Sequence, residues 1–215
     1  MIIVTSISPG HANKEHQENA VKSWQGYRIS MNGPNESIQG YDGVAFISTD
    51  RTAQHYVGKP LVTINAMIDH AKSMDDDLML INSDIILTDL PTFKQDGVTI
   101  MSRYDFDTKE LFPYGFDVFY IPKKFLNIFP PAIYAMGVAF WDYWIPKHCI
   151  INKIPLYYPT AKHALHKHHV TQYSQAEWDY IGEFFKWEFK FDKKLTVPQI
   201  TTATLNEIKS KLIHI

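Results

Sequence analysis

Cysteine is almost absent from this chain of 215 residues: Cys149 stands alone. That excludes an intramolecular disulfide framework and suits a reducing compartment, where a single thiol reads as a small buried apolar residue. Charge of one sign is also missing. A formal net charge of −2 provides no global positive field to attract nucleic acid or an anionic membrane, so an anionic ligand has to be handled locally. No apolar run approaches the roughly 20 residues that span a bilayer. The opening MIIVTSISPG lacks the basic region and long apolar stretch of a signal peptide. Internal repeats, low-complexity tracts and linker-like stretches are lacking too. The expectation is a soluble, cytoplasmic protein with no membrane span and no nucleic-acid partner, folded as one domain over residues 1–215.

What is present is the composition of a folded core, 45% hydrophobic and 14% aromatic. The chain is organised around Asp75 to Leu90. Leu78-Met79-Leu80-Ile81 is an apolar run without alternation, the pattern of a strand buried on both faces of an α/β sheet. It ends in Asn82-Ser83-Asp84, at the carboxyl end of a strand, where open α/β sheets bind ligands. Asp75, Asp76 and Asp77 fall in a solvated turn at the other end.

Strand and helix patterns alternate before this point. Ile2-Ile3-Val4 is a short strand. It runs into Thr5-Ser6-Ile7-Ser8-Pro9-Gly10, either a ligand-contacting loop or an ordinary strand-to-helix connection. Asn13 to Trp24 reads as a helix, and Tyr27–Met31 and Val44–Ile47 as strands. Arg51, at the exit of the last, either meets a phosphate or makes a surface salt bridge. Gly58-Lys59-Pro60 is expected to open a helix whose face carries Leu61, Ile64, Met67, Ile68 and Ala71. The order β-α-β-β-α-β predicts a central, mostly parallel mixed sheet flanked by helices.

Later, Ile85–Leu87, Val98–Met101 and Gly115–Ile121 read as strands beside the central one. Trp141-Asp142-Tyr143-Trp144 places an acid among large rings, where it either bonds something nearby or faces a cavity. Three of the ten histidines fall in His166-Lys167-His168-His169, a density that suggests metal ligation or a solvated basic segment. Ser174–Glu177 and Thr204–Glu207 are both capping-box patterns and predict helix starts. One carboxylate and one imidazole are too few for a closed structural site, but suit an octahedral Mn²⁺ or Mg²⁺ completed by waters and phosphate oxygens.

These residues resemble a known family. Gly58-Lys59-Pro60, Asn82-Ser83-Asp84-Ile85-Ile86-Leu87, Ser102-Arg103-Tyr104, Gly115-Phe116-Asp117, Trp141-Asp142-Tyr143-Trp144 and the His166 segment look like the ordered motifs of GT-A-fold, nucleotide-sugar-dependent glycosyltransferases. Asn82-Ser83-Asp84 takes the place of their Asp-x-Asp element with its first acid replaced. The resemblance covers residues 2 to about 173 and is closest to glycosyltransferase domains encoded by large algal viruses and implicated in capsid glycan synthesis. It implies a Rossmann-related GT-A domain with a nucleotide-binding half over about 1–105 and a donor and acceptor half over about 106–215. It implies transfer of a hexose or deoxyhexose from a UDP-sugar to a hydroxyl of a glycan or glycoprotein, dependent on Mn²⁺ or Mg²⁺.

By that resemblance Thr5, Ser6, Ile7 and Ser8 line the base and ribose site. Arg51 and Lys59 serve the phosphates, and Asn82 and Ser83 lie near ribose and diphosphate. Asp84 and His166 bind the metal, with His169 as the alternative to His166, while Asp142, Asp117 and Arg103 surround the reacting sugar. Two other classes stay open on the residues alone. One is a metal-dependent nucleotidyltransferase or phosphoesterase. The other is a non-catalytic carbohydrate-binding module that stacks sugars on Trp141, Tyr143 and Trp144.

Overall fold

The computed structural model describes residues 1–11, 13–38, 40–168 and 173–215. His169 lies outside the described residues. The chain is α/β, with a large mixed sheet flanked by helices. In chain order its first strands are β1 (Ile2–Thr5), β2 (Tyr27–Asn32), β3 (Val44–Ser48) and β4 (Leu78–Ile81). They are followed by β5 (Ile85–Leu87), β6 (Val98–Met101), β7 (Tyr104–Asp105) and β8 (Val118–Ile121). The last are β9 (Leu156–Tyr158), β10 (Ala164–His166) and β11 (Leu212–His214).

Eight of these form one sheet in the order β11-β9-β6-β8-β4-β1-β2-β3. Among the described strands of that sheet, β8 alone is antiparallel to its neighbours β4 and β6. Leu78 to Ile81 are all 0% exposed. Leu78 and Leu80 join one apolar cluster, while Met79 and Ile81 join a second on the opposite face. The unalternated run therefore marks a strand covered on both sides, as the pattern predicts.

The helices that cover it are α1 (Lys14–Ser23), the short α2 (Gln54–Val57), α3 (Ile64–Ser73), α4 (Trp141–Ile151), α5 (Gln175–Glu188) and α6 (Val197–Ser210). Asn13 caps α1 through its side chain, which accepts from the His16 N–H, and Ser174 opens α5 with a complete capping box. Three expectations about helix starts and strand neighbours change. Gly58-Lys59-Pro60 does not open a helix. Gly58, at φ 70°, terminates α2 in the left-handed region, and α3 starts after Thr63, whose hydroxyl accepts from Ala66 N.

Thr204 is likewise not a cap: it is buried within α6, which opens at Thr196 with Gln199 completing the box. Two capping patterns lie eight residues apart, and the helix starts at the first, with Pro198 in its first turn. Finally, β6 and β8 join the sheet beyond β4 as expected, but β5 leaves it. It pairs with β10 in a second sheet, ordered β5-β10-β7.

Of the acids before β4, Asp75 is exposed as expected, while Asp77 is less solvated than the sequence suggests. Asp77 accepts from Tyr120 Oη at 2.6 Å and from the Lys123 backbone N–H at 2.8 Å. Burial opposes this charge, yet the hydrogen bonds from Tyr120, Lys123 and Gln95 outweigh it and hold the carboxyl below its usual range. No described helix is long and apolar enough to cross a membrane.

Packing of α5 on α6 leaves no room at Gly182. A Cβ there would stand 2.3 Å from Val197 Cγ1 and 3.1 Å from Phe140 Cε2. Valine has little freedom to turn aside, so overpacking follows. Gly182→Ala is expected to lose about 1–3 kcal/mol of stability, read as a lower urea midpoint with an unchanged slope.

Candidate functional site

Four parallel strands and one antiparallel strand deliver polar residues to a single edge of the large sheet. β1 and β4 run parallel with Val4 opposite Leu80, so Thr5 to Ser8 and Asn82 to Asp84 emerge together. β8 runs the other way, with Val118 opposite both Ile81 and Met101, so the residue before it, Asp117, starts at that same edge. The backbone closes the junction. Asn82 N donates to Asp117 O at 3.1 Å, and Asp117 N donates to Met101 O at 3.0 Å.

One group of side chains meets at Asp84. Pairing of β5 with β10 sets His166 opposite Ile85, and its Nε2 stands 3.2 Å from Asp84 Oδ2 across 82 residues of sequence. His11, from the loop ahead of α1, brings its own Nε2 to the same oxygen at 3.2 Å. His16 packs behind them, with Nε2 3.1 Å from Asp84 O and accepting from the Lys167 backbone N–H at 3.1 Å. Burial is the main reason that the His16 imidazole titrates below its ordinary value. A neutral ring with Nε2 free of hydrogen is the form that accepts from Lys167.

The sequence pointed to Asp84 and His166 but gave no signal for His11 or His16, which are single histidines without a cluster. Among the described residues no group of three or more His, Cys, Asp or Glu side chains forms a ready metal cage. His11 and His166 are each instead within hydrogen-bond distance of the same Asp84 oxygen.

A second group centres on Asp117. Its Oδ1 accepts from Asn82 Nδ2 at 2.6 Å and from Arg103 Nη1 at 2.9 Å. Its Oδ2 is buried and has no hydrogen-bond partner among the described residues. Asn82 is thus turned toward Asp117, and a carboxylate in its place would face Asp117 and repel it. Arg103 is held from its other side by the Phe112 ring, 4.0 Å from the guanidinium carbon.

Asp142, in the first turn of α4, accepts from the Phe116 backbone N–H through Oδ2 at 3.3 Å. Burial, and then the neighbouring Asp117 carboxylate, push Asp142 up to about 7, against the opposing pull of the Phe116 N–H and Arg103. α4 itself is anchored at Glu188. That carboxylate accepts from Tyr134 Oη at 2.6 Å and Trp144 Nε1 at 3.0 Å, with His148 Nε2 at 3.4 Å.

Of the remaining expected site residues, Thr5 to Ser8 and Ser83 lie at this edge, while Arg51 and Lys59 are engaged in ion pairs with helix residues. Thr5 is buried, with its hydroxyl toward Met136 Sδ at 3.7 Å. Ile7 is buried and pinned to β2, its N–H donating to Ser30 Oγ at 2.9 Å and its carbonyl accepting from Asn32 Nδ2 at 2.9 Å. Ser6 and Ser8 stay half-buried. Ser83 Oγ lies 2.7 Å from the Gln17 amide, which also meets Tyr41 Oη at 2.7 Å. Arg51 pairs with Asp69 at 2.8 Å and Lys59 with Glu177 at 2.6 Å. Trp141, Tyr143 and Trp144 are 4%, 5% and 0% exposed, so they cannot serve as a sugar-stacking surface. They are core.

Comparison of the chain with protein-family models gives no match, and comparison with curated proteins gives none. The class of the protein therefore rests on its α/β fold and on these two adjoining groups.

Because folding raises the Asp142 carboxyl from 3.8 to about 7, the folded chain holds a proton that the unfolded chain releases between those values. Stability from this group is full below the unfolded value and is lost as pH rises toward 7 and beyond. Asp142→Asn removes the titration. Thermal melts at about pH 5 and about pH 8 should show the variant gaining relative to the parent at the higher pH.

Proposed function

We propose that the protein is a divalent-metal-dependent glycosyltransferase that moves a sugar, a hexose or deoxyhexose, from a UDP-sugar to a hydroxyl of a glycan or glycoprotein. The observation that carries this reading is the meeting of His166 and Asp84 at 3.2 Å, beside the Asp117–Asp142 pair and on the same sheet edge. One group suits a diphosphate and its cation; the other suits a sugar and its reacting hydroxyl. The fold supports it as an α/β arrangement with polar residues collected at strand ends. In this reading the chain is one GT-A domain acting in the cytoplasm, of the host if the protein is viral.

Asp84 and His166 would hold Mn²⁺, with His11 beside them, and Asn82 and Ser83 would flank the diphosphate. Bound there, the metal would supply charge neutralisation for a nucleoside-diphosphate leaving group. The base and ribose would lie along Thr5 to Ser8. In the transfer, the acceptor oxygen bonds to the anomeric carbon of the donor sugar while the bond from that carbon to the diphosphate oxygen breaks. UDP departs with the electron pair. Asp142, poised near neutrality by burial and Asp117, takes the acceptor proton. Arg103 and Asn82 hold Asp117 in place beside it through hydrogen bonds to its Oδ1.

Calorimetric titration of UDP tests the donor half. UDP is expected to bind more tightly with Mn²⁺ than without it, and Asp84→Ala should weaken that binding by at least about tenfold, the scale of losses at metal sites. Equal binding with and without metal, or no loss in Asp84→Ala, would overturn the reading. Release of phosphate from a simple ester would favour the phosphoesterase class instead.

A further inference from the structure

We propose that Tyr114 is the acceptor-specificity residue: its exposed ring is a platform for the apolar face of a neutral pyranose whose hydroxyl reaches the Asp117–Asp142 pair. This rests on the transferase reading and gives it a substrate class, a neutral glycan presenting an unsubstituted C–H face.

Tyr114 is 66% exposed, yet it is held on three sides. Its ring meets Phe112 edge-on, with centroids 5.7 Å apart. Phe112 carries the Arg103 guanidinium, and Arg103 bonds Asp117. The Tyr114 carbonyl accepts from Tyr143 Oη, one residue from Asp142 in α4. The next residue is Gly115, where a Cβ would stand 2.6 Å from Asp142 Oδ2. The exposed ring is thus linked to Asp117 through Phe112 and Arg103, and its neighbour Gly115 abuts Asp142.

The supporting loop is itself braced. Phe112 N donates to Arg103 O at 2.9 Å, and Asp105 N donates to Glu110 O at 2.8 Å. A single exposed ring means little alone. Here the contacts from the ring lead through Phe112 and Arg103 to Asp117, whose buried Oδ2 has no hydrogen-bond partner among the described residues, and a buried acceptor without a donor points to a ligand. A sugar supplies both missing parts: hydroxyl donors for the carboxylate, and C–H groups, weakly positive, for the negative face of the ring. An anionic glycan would be repelled by the same two acids.

Saturation-transfer NMR on the full chain tests this, with methyl β-glucoside, methyl β-galactoside, methyl β-xyloside, methyl α-rhamnoside and methyl α-fucoside as probes. At least one is expected to bind. Tyr114→Ala should weaken it about tenfold, the scale of a lost aromatic contact, while Tyr114→Phe and Tyr114→Trp retain it. UDP affinity in the presence of Mn²⁺ should be the same in all four proteins. Equal glycoside binding by Tyr114→Ala, or no glycoside binding by the parent, would overturn the proposal. Failure of the donor reading looks different: glycosides bind through Tyr114 while UDP binding ignores Asp84→Ala.

Discussion

The antiparallel pairing of β5 with β10 is the constraint on which the candidate site depends. It sets His166 opposite Ile85, and so brings an imidazole to Asp84 from 82 residues away. Side chains alternate along a strand, so a slip of one residue would turn His166 from the Asp84 side to the other. Three further contacts hold this register from the helix side. Trp24 Nε1 donates to Ile85 O at 2.8 Å, Leu87 N donates to Ser23 Oγ at 2.9 Å, and Lys167 N donates to His16 Nε2 at 3.1 Å. α1 and its C-cap thus hold β5 and the residue after β10 in the small sheet.

A second constraint is the reversed strand. Were β8 parallel to β4, Asp117 would lie at the far edge of the sheet, beside the acids that precede β4. Reversal puts it between Asn82 and Arg103, and α4 then adds Asp142 above it. Arg103 and Asn82 both bond Asp117 Oδ1, whereas Asp142 is raised by burial first and then by the neighbouring Asp117 carboxylate, against the pull of backbone N–H groups and Arg103. The two acids therefore sit in different surroundings.

The aromatic residues sort into two roles by burial. Trp144 and Tyr134 are core, spending their polar atoms on Glu188 and so locking α4 to α5. That lock sets where α4 begins, hence where Asp142 sits. Tyr114 stays exposed on a braced loop.

Local pattern was enough for the β-α-β-β-α-β order, the doubly buried β4 and the cap at Ser174, and it drew attention to the strand end at Asp84 and the histidines from His166 onward. These follow from periodicity, turn residues and donor type, all of them properties of neighbouring positions. The start of α3, the start of α6 and the departure of β5 were not legible, since each was a competition between local signals that packing resolved. Nor were His11 and His16, whose importance comes only from what lies across from them. The sequence by itself determined which groups are available and which strands end in them. The tertiary structure decided who meets whom, because strand register and direction are set by the burial of whole faces, and no single stretch of chain carries that information.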